Sequence, residues 1–461
     1  MRSVFALDVV FRDKTQSAGG ADPLPVCRSP NPFQHESDWA RFGVEASIKA
    51  DLWEAMKCHP DGLTFDEIIE NLKQRGDNHC KHEGVREELE ENPYFFKLPS
   101  SKWTLSIFRP LKWGFADKAQ IAEDFIEALS LLPGPELAAV ASRKVDDGEL
   151  EAAQEFAKKH GVQRVYGTYK ELAEDPDVEL VYVSNIHVAH KDTVLLMLEH
   201  GKHVLCEKPL AVNARDTKEM VNKAREKNLF FAAGLWSRFF PAVQKIRELI
   251  QCGTIGEVGY FHADFLLQMG EEVKRLYTPE MGGGALLDIG MYPIAMGSWV
   301  FGQRRPDAVQ AMAVMHPNRI DTTGVVNLRY GERSMSTVTY SMALPTAPIV
   351  GVIHGSKGRI TIHDKMHCPT KITVEIHGKE PFDLEFSPPE KPPEISHGDA
   401  EGGWNFEGSM GFVYEAMAIH SAVVSGVKEL KDVSNDEMVM LMEVTDEIRK
   451  QIGVTYPQDE K

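Results

Sequence analysis

The chain has 461 residues, with 51 Lys and Arg against 69 Asp and Glu and a formal net charge of −18. Its apolar share of 43% and charged share of 26% are those of a globular protein of two or three domains. The acidic balance speaks against a nucleic-acid binder, which needs a positive face. No run of about 18 or more apolar residues suggests a membrane span, and the opening "MRSVFALDVVF" carries Asp8 where a secretory signal would be apolar.

Residues 1–37 form a first unit, whose stretch 12–37 is rich in Pro, Gly, Ser and charge and reads as flexible. Residues 38–106 read as a winged-helix-like block. A helix is predicted around Ile48, Leu52 and Met56, a second begins at the capping box Thr64–Glu67, and a third runs over 84–91. "YFFKLPSSKWTLS" then reads as two short strands around a turn. Residues 40–105 hold 9 Lys and Arg against 13 Asp and Glu, the wrong sign for a duplex binder, so a structural or protein-contact role is expected.

From Leu111 strands and helices alternate to residue 235, which implies a parallel, doubly wound α/β sheet. The strand–turn–helix "LKWGFADKAQIAEDF" occupies the position of a dinucleotide loop, with Gly114, Ala116 and Ala119 where a G-x-G-x-x-G pattern has glycines. Residues 236–461 hold longer alternating segments, from "VGYFHADFLLQ" to "TKITVEIHG". They predict an α+β domain built on a mainly antiparallel sheet and closed by two helices. The six cysteines have no framework spacing and read as reduced thiols of a cytoplasmic protein. Cys58-His59 and "HCKH" at 79–82 lack zinc spacing, so no metal is expected.

In an open parallel sheet, ligands bind beyond the carboxyl ends of the strands. Ser142 and Arg143 follow the second strand, where an acid would hold the 2′-hydroxyl of NAD and an arginine suits the 2′-phosphate of NADP. Asn185, His187 and His190 follow the fourth strand, and Glu207 and Lys208 end the fifth, ahead of Pro209. In "GGGALLDIGMYP" the glycines permit close backbone approach, and Asp288 and Tyr292 are four apart, on one face if helical. A tyrosine whose pKa a nearby lysine depresses can take the proton as hydride leaves a carbinol.

"GKHVLCEKPLAVNARDTKEMV", "LWSRFFPAVQKIRELIQCGTIGEV", "GGGALLDIGMYPI" and "HGSKGRITI" resemble the glucose–fructose oxidoreductase/inositol dehydrogenase (Gfo/Idh/MocA) family over about residues 111–461. The resemblance implies a Rossmann domain over 107–235, and an open-faced sheet domain over 236–461 used for substrate contacts and for forming a homodimer. It implies Lys208 as catalytic lysine, Tyr292 as acid/base and Asp288 as the motif's acid. Trp236, Arg238 and Phe239 would line the substrate pocket, and Arg143 would read the ribose phosphate of NADP. The implied activity is NADP-dependent hydride transfer to or from a small molecule, a cyclic vicinal diol or an aldose. The chain departs from the family at several positions. Ala119 stands for the last glycine of the loop, and Asp117 puts a carboxylate beside the pyrophosphate position unless Lys118 offsets it. Asp146, Asp147 and Glu149 add acid near the presumed 2′-phosphate. A cofactor-impaired pseudoenzyme with a binding or regulatory role is the alternative.

Overall fold

The computed structural model describes residues 103–146, 148–363, 365–386 and 403–460, together with scattered residues between 56 and 97. The segment 1–37 and the helix expected around Ile48 and Leu52 lie outside the described residues. Within the N-terminal block the helix Phe65–Gln74 starts as expected. Thr64 Oγ1 accepts from the Glu67 N–H at 3.3 Å, and Glu67 Oε2 accepts from the Thr64 N–H at 2.7 Å, so two orphan donors are satisfied reciprocally. Strands β1 (Phe95–Lys97) and β2 (Trp103–Leu105) form the expected antiparallel hairpin.

A six-stranded, wholly parallel sheet follows. It consists of β3 (Leu111–Ala116), β4 (Pro135–Ala141), β5 (Arg164–Tyr166), β6 (Leu180–Val183), β7 (His203–Glu207) and β8 (Phe231–Gly234), in the order β5-β4-β3-β6-β7-β8. Strand order reverses between β3 and β6, so the carboxyl ends of β3, β6 and β7 open onto one crevice. The strands β6 and β8 are buried on both faces and read as unbroken apolar runs such as "LVYV".

The second sheet has eight strands in the order β10-β11-β12-β9-β13-β14-β15-β16: β9 (Val258–Leu266), β10 (Ala308–Met315), β11 (Asp321–Tyr330), β12 (Ser334–Ser341), β13 (Gly351–Gly355), β14 (Gly358–Ile362), β15 (Lys371–Ile376) and β16 (Phe382–Glu385). Only the β9–β12 pair is parallel. The helix Met291–Val300 covers one face, packing on β9 and β12. The alternation along β10 leaves Met312 and Val314 exposed on the other.

The last two helices do more than close this second sheet. Phe412–Val424 packs on the Rossmann helix Gln120–Ser130, and Asn435–Ile452 packs on Ala214–Lys227 as well as on β10. The helix Asn435–Ile452 therefore ties the two sheets together. No described helix is long and apolar enough to cross a membrane.

Candidate active site

The crevice is a cavity of about 940 Å³ between the parallel sheet and the second domain. At its Rossmann end, β3 runs into Asp117–Ala119 and the helix Gln120–Ser130. Ala119 occupies the N-cap without any side-chain cap, and Ala119, Gln120 and Ile121 line the cavity. An uncapped start of an eleven-residue helix presents the donors and the positive dipole end that a pyrophosphate takes.

Two of the three expected loop positions are corrected. Gly114 lies inside β3, where an added Cβ would stand 2.8 Å from Val178 Cγ1, so it is a packing glycine. Ala116 ends the strand fully buried and does not line the cavity. Only Ala119 does. The strained position of the turn is Asp117, at φ 106°, a region that favours glycine. Its carboxylate accepts from its neighbour's N–H (Lys118, 2.7 Å) and from Tyr169 Oη (3.1 Å). Lys118 does not offset it, because its ammonium bonds Glu149.

Beyond β6, Ser184 Oγ and Asn185 Oδ1 are buried and without a hydrogen-bond partner among the described residues, while both residues line the cavity. Asn185 Nδ2 is held by Thr193 Oγ1 at 2.9 Å, which points the amide oxygen away from the helix. Such orphaned buried groups are costly alone and fit a polar cofactor. His187 and His190 line the same wall, but three of their four ring nitrogens lie against backbone carbonyls. His190 Nδ1 lies 2.9 Å from Pro209 O and Nε2 2.8 Å from Asn185 O, which leaves no ring nitrogen for a ligand and corrects its expected cofactor role. His187 Nε2 is 2.9 Å from Gly282 O. That approach explains one glycine: a Cβ at Gly282 would stand 2.2 Å from the ring nitrogen. Burial, then the neighbouring His190, lowers His187 to about 4, and burial lowers His190 to about 4. Both rings are struts between backbone segments.

The fifth strand delivers Glu207 and Lys208, ahead of a cis Lys208–Pro209 peptide. Glu207 accepts from Tyr182 Oη at 2.6 Å, and burial raises its pKa. Lys208 Nζ donates to the carbonyl oxygen of Asp288 at 2.7 Å and stands 4.8 Å from the centre of the Tyr292 ring. Asp288 lies in a π-helical turn, Leu286–Gly290, that runs straight into the helix Met291–Val300 carrying Tyr292. Its carboxylate pairs with Arg275 Nη1 at 2.7 Å. Burial opposes that charge, but Lys208 and Arg275 together hold the carboxyl below its ordinary range.

The expected depression of the Tyr292 pKa by Lys208 is also corrected. Burial pushes the phenol well above the ordinary tyrosine value, Glu207 and Asp288 push the same way, and Trp236 opposes them by donating its Nε1–H to the hydroxyl at 3.1 Å. The ammonium sits over the ring face rather than at the oxygen. Tyr292 is therefore a protonated phenol whose oxygen accepts one bond and keeps its own proton to give.

Of the three residues expected at the substrate end, only Trp236 lines the cavity. Arg238 and Phe239 do not. The Arg238 guanidinium is 1% exposed and is fixed by Glu437 and by Ala295 O, each at 2.8 Å. Ser142 is buried, its Oγ donating to Lys144 O at 2.9 Å, while Arg143 is exposed beside the turn that ends β4.

Sequence reasoning missed the residues that complete the wall. Phe265, Leu267, Thr346 to Ile349, His367 and Asn405 to Glu407 all line it. Asp124 was missed as well. It is buried in the helix Gln120–Ser130 and accepts from the N–H groups of Asn405 and Phe406, both at 3.0 Å, and from Ser409 Oγ, so it pins the 403–411 segment over the crevice. The one signal was a carboxylate on the apolar stripe shared with Ile121 and Ala128.

A doubly wound sheet, an uncapped helix start at its switch point and a Lys–Tyr pair across the crevice define a dinucleotide-dependent oxidoreductase. Residues 116–235 match the oxidoreductase family model for an NAD-binding Rossmann fold, and residues 243–361 match the GFO/IDH/MocA C-terminal domain. The chain belongs to the Gfo/Idh/MocA family of oxidoreductases. It is similar to trans-1,2-dihydrobenzene-1,2-diol dehydrogenase of Xenopus tropicalis, 38% identical over 349 residues, covering 75% of this chain and 99% of the relative. The enzyme of the same name from Homo sapiens is 36% identical over 353 residues, covering 76% and 99%. Among solved structures, the fold is shared with KijD10, a 3-ketoreductase from Actinomadura kijaniata in complex with NADP and TDP-benzene (TM-score 0.62, 24% identity, 75% of this chain and 98% of that one). It is shared also with levoglucosan dehydrogenase in complex with NADH and levoglucosan (TM-score 0.63, 20% identity, 75% and 98%).

Proposed function

We propose that this chain is an NADP-dependent dehydrogenase that moves a hydride between nicotinamide and a hydroxyl-bearing carbon of a cyclic vicinal diol or an aldose. The observation that carries the reading is the meeting of Lys208, Asp288 and Tyr292 in the cavity that also receives the uncapped helix start. The diol dehydrogenases among the relatives and the apolar walls of Trp236, Phe265, Leu267, Ile349 and Phe412 support a carbocyclic substrate. NADP would supply the hydride acceptor or donor. The N–H groups at Ala119–Ile121 would hold its pyrophosphate, Ser184 and Asn185 its nearer polar groups, and Arg143 its 2′-phosphate. In reduction Tyr292 gives its proton to the substrate's carbonyl oxygen, and in oxidation the same oxygen takes the hydroxyl proton once its own has passed to solvent, with the Lys208 ammonium over the ring face favouring that exchange.

Domain units of 38–106, 107–235 and 236–461 are part of this reading, with the last supplying the substrate wall. So is a cytoplasmic homodimer joined through the second sheet, whose outer face exposes Met312, Val314, Val325 and Met335. A micromolar NADPH dissociation constant by protein fluorescence would support the enzyme, and no binding at millimolar cofactor would refute it. The second reading, a cofactor-impaired protein, draws on Asp117: its carboxylate lines the cavity while Lys118 is drawn off to Glu149.

Two variants probe the cofactor end. Arg143→Ala should lower kcat/KM with NADP+ roughly 10–100-fold, the worth of one or two charge-assisted bonds, and leave NAD+ within about two-fold. An unchanged preference would remove Arg143 from the site. Asp117→Gly should relieve backbone strain of about 1–3 kcal/mol, less the lost Tyr169 bond, and raise Tm by a few degrees. It should also tighten NADPH by removing a carboxylate from the phosphate end, so weaker binding in the titration would show that this carboxylate organises the turn.

A further inference from the structure

His367 lies between β14 and β15 and enters the cavity beside the Lys–Tyr pair. Its ring stacks on Phe265, with centroids 4.8 Å apart and planes at 26°. It stands 5.5 Å from the Tyr292 ring and 6.1 Å from Trp236. Nδ1 is buried without a partner, and no hydrogen bond joins the imidazole to another described residue. Its stacking fixes where the ring lies, so the unused hydrogen-bonding capacity is held in place and is not a mobile surface feature.

The chemistry of that capacity is narrow. Burial, and then the ammonium groups of Lys208 and Lys365, hold the imidazole at about 3, so it is neutral under working conditions. A neutral imidazole offers one donor and one acceptor, as an alcohol does. The neighbouring polar groups are already engaged: Trp236 Nε1 donates to Tyr292, and Lys365 pairs with Glu407 at 3.2 Å. Phe265, Leu267 and Ile349 add only apolar wall. The His367 and Tyr292 rings stand 5.5 Å apart on the same cavity, so a substrate ring held by one hydroxyl at Tyr292 could turn its neighbouring hydroxyl toward His367.

We propose that His367 is a specificity-determining residue that hydrogen-bonds the hydroxyl adjacent to the one being oxidised, and so selects vicinal diols over single alcohols. This rests on the dehydrogenase reading above. The test uses the full chain with NADP+ and two substrates, trans-cyclohexane-1,2-diol and cyclohexanol, comparing wild type with His367→Phe and His367→Asn. Phe keeps the stack on Phe265 and removes the polar edge. The expected result is a loss of roughly 10–100-fold in kcat/KM for the diol in the Phe variant, carried mostly by KM, a change under about three-fold for cyclohexanol, and partial recovery in the Asn variant. NADPH affinity and Tm should stay near wild type in the Asn variant, which keeps the comparison valid should the Phe variant fold poorly. Equal losses on both substrates, or none on either, would overturn the inference alone. Wild-type protein that binds NADPH yet oxidises neither alcohol would overturn this inference, and failure on aldoses as well would overturn the dehydrogenase reading with it.

Discussion

Tyr292→Phe lowers kcat by roughly 10²–10⁴, the usual worth of a positioned acid/base, while NADPH affinity stays within about two-fold. The substitution removes one oxygen and little else. The ring keeps its place under the Lys208 ammonium and its tilted contact with Phe265 at 5.7 Å. Trp236 Nε1 loses its acceptor, a small cost in a cavity that admits water. The residues proposed to hold the pyrophosphate and its neighbouring groups, Ala119 to Ile121, Ser184 and Asn185, make no hydrogen bond to the phenol oxygen. A static loss of binding therefore cannot mimic the effect. Because burial and the carboxylates of Glu207 and Asp288 keep the phenol protonated, the hydroxyl is ready to donate to a carbonyl. Reduction of a ketone should accordingly suffer at least as much as oxidation of the alcohol in the Phe variant. Turnover unchanged in both directions, measured by NADPH absorbance in single-turnover mixing, would remove Tyr292 from the chemistry.

The elements were legible in the sequence because their signals were local. Apolar runs gave the parallel strands, period-two alternation gave most of the second sheet, and a Ser/Thr-x-x-Glu pattern gave the start of Phe65–Gln74. Lys208 and Tyr292 were legible because each stands beside residues that constrain backbone: Pro209 behind the first, three glycines ahead of the second. The remainder was not, for two physical reasons. Spacing marks Gly114 as a phosphate-loop glycine, but it answers to Val178 in the loop before β6, and the position that needs positive φ holds an aspartate. His367 and Asp124 act through partners about 75 to 285 residues away in sequence, Tyr292 and Ser409 among them. No local pattern encodes such a contact. A buried carboxylate on an apolar stripe is the only trace the second of them leaves.

Arg238→Leu is the other variant with a large expected effect, and it falls on stability instead of substrate affinity. Motif position placed this arginine at the substrate. The structure places it in the core, between the Trp236–Phe239 turn, the helix Met291–Val300 and the helix Asn435–Ile452. Its guanidinium bonds Glu437 and the Ala295 carbonyl, and burial holds it below the ordinary arginine value. Glu437 gains further donors from Ser298 (3.1 Å) and Gln303 (2.7 Å), so the carboxylate of this ion pair is enclosed. Removing the arginine leaves that charge with neutral partners only, at about 3–5 kcal/mol, a Tm loss of roughly 6–20 °C. The double variant Arg238→Leu/Glu437→Gln should recover much of the loss, since the penalty lies in the stranded carboxylate and not in the missing attraction. Thermal unfolding of the two proteins side by side decides the matter. A single variant of wild-type stability with a raised substrate KM would return Arg238 to the substrate pocket. A destabilised single variant rescued by Glu437→Gln would show that the residue two places after Trp236 keeps the cavity wall in register with the helix that carries Tyr292.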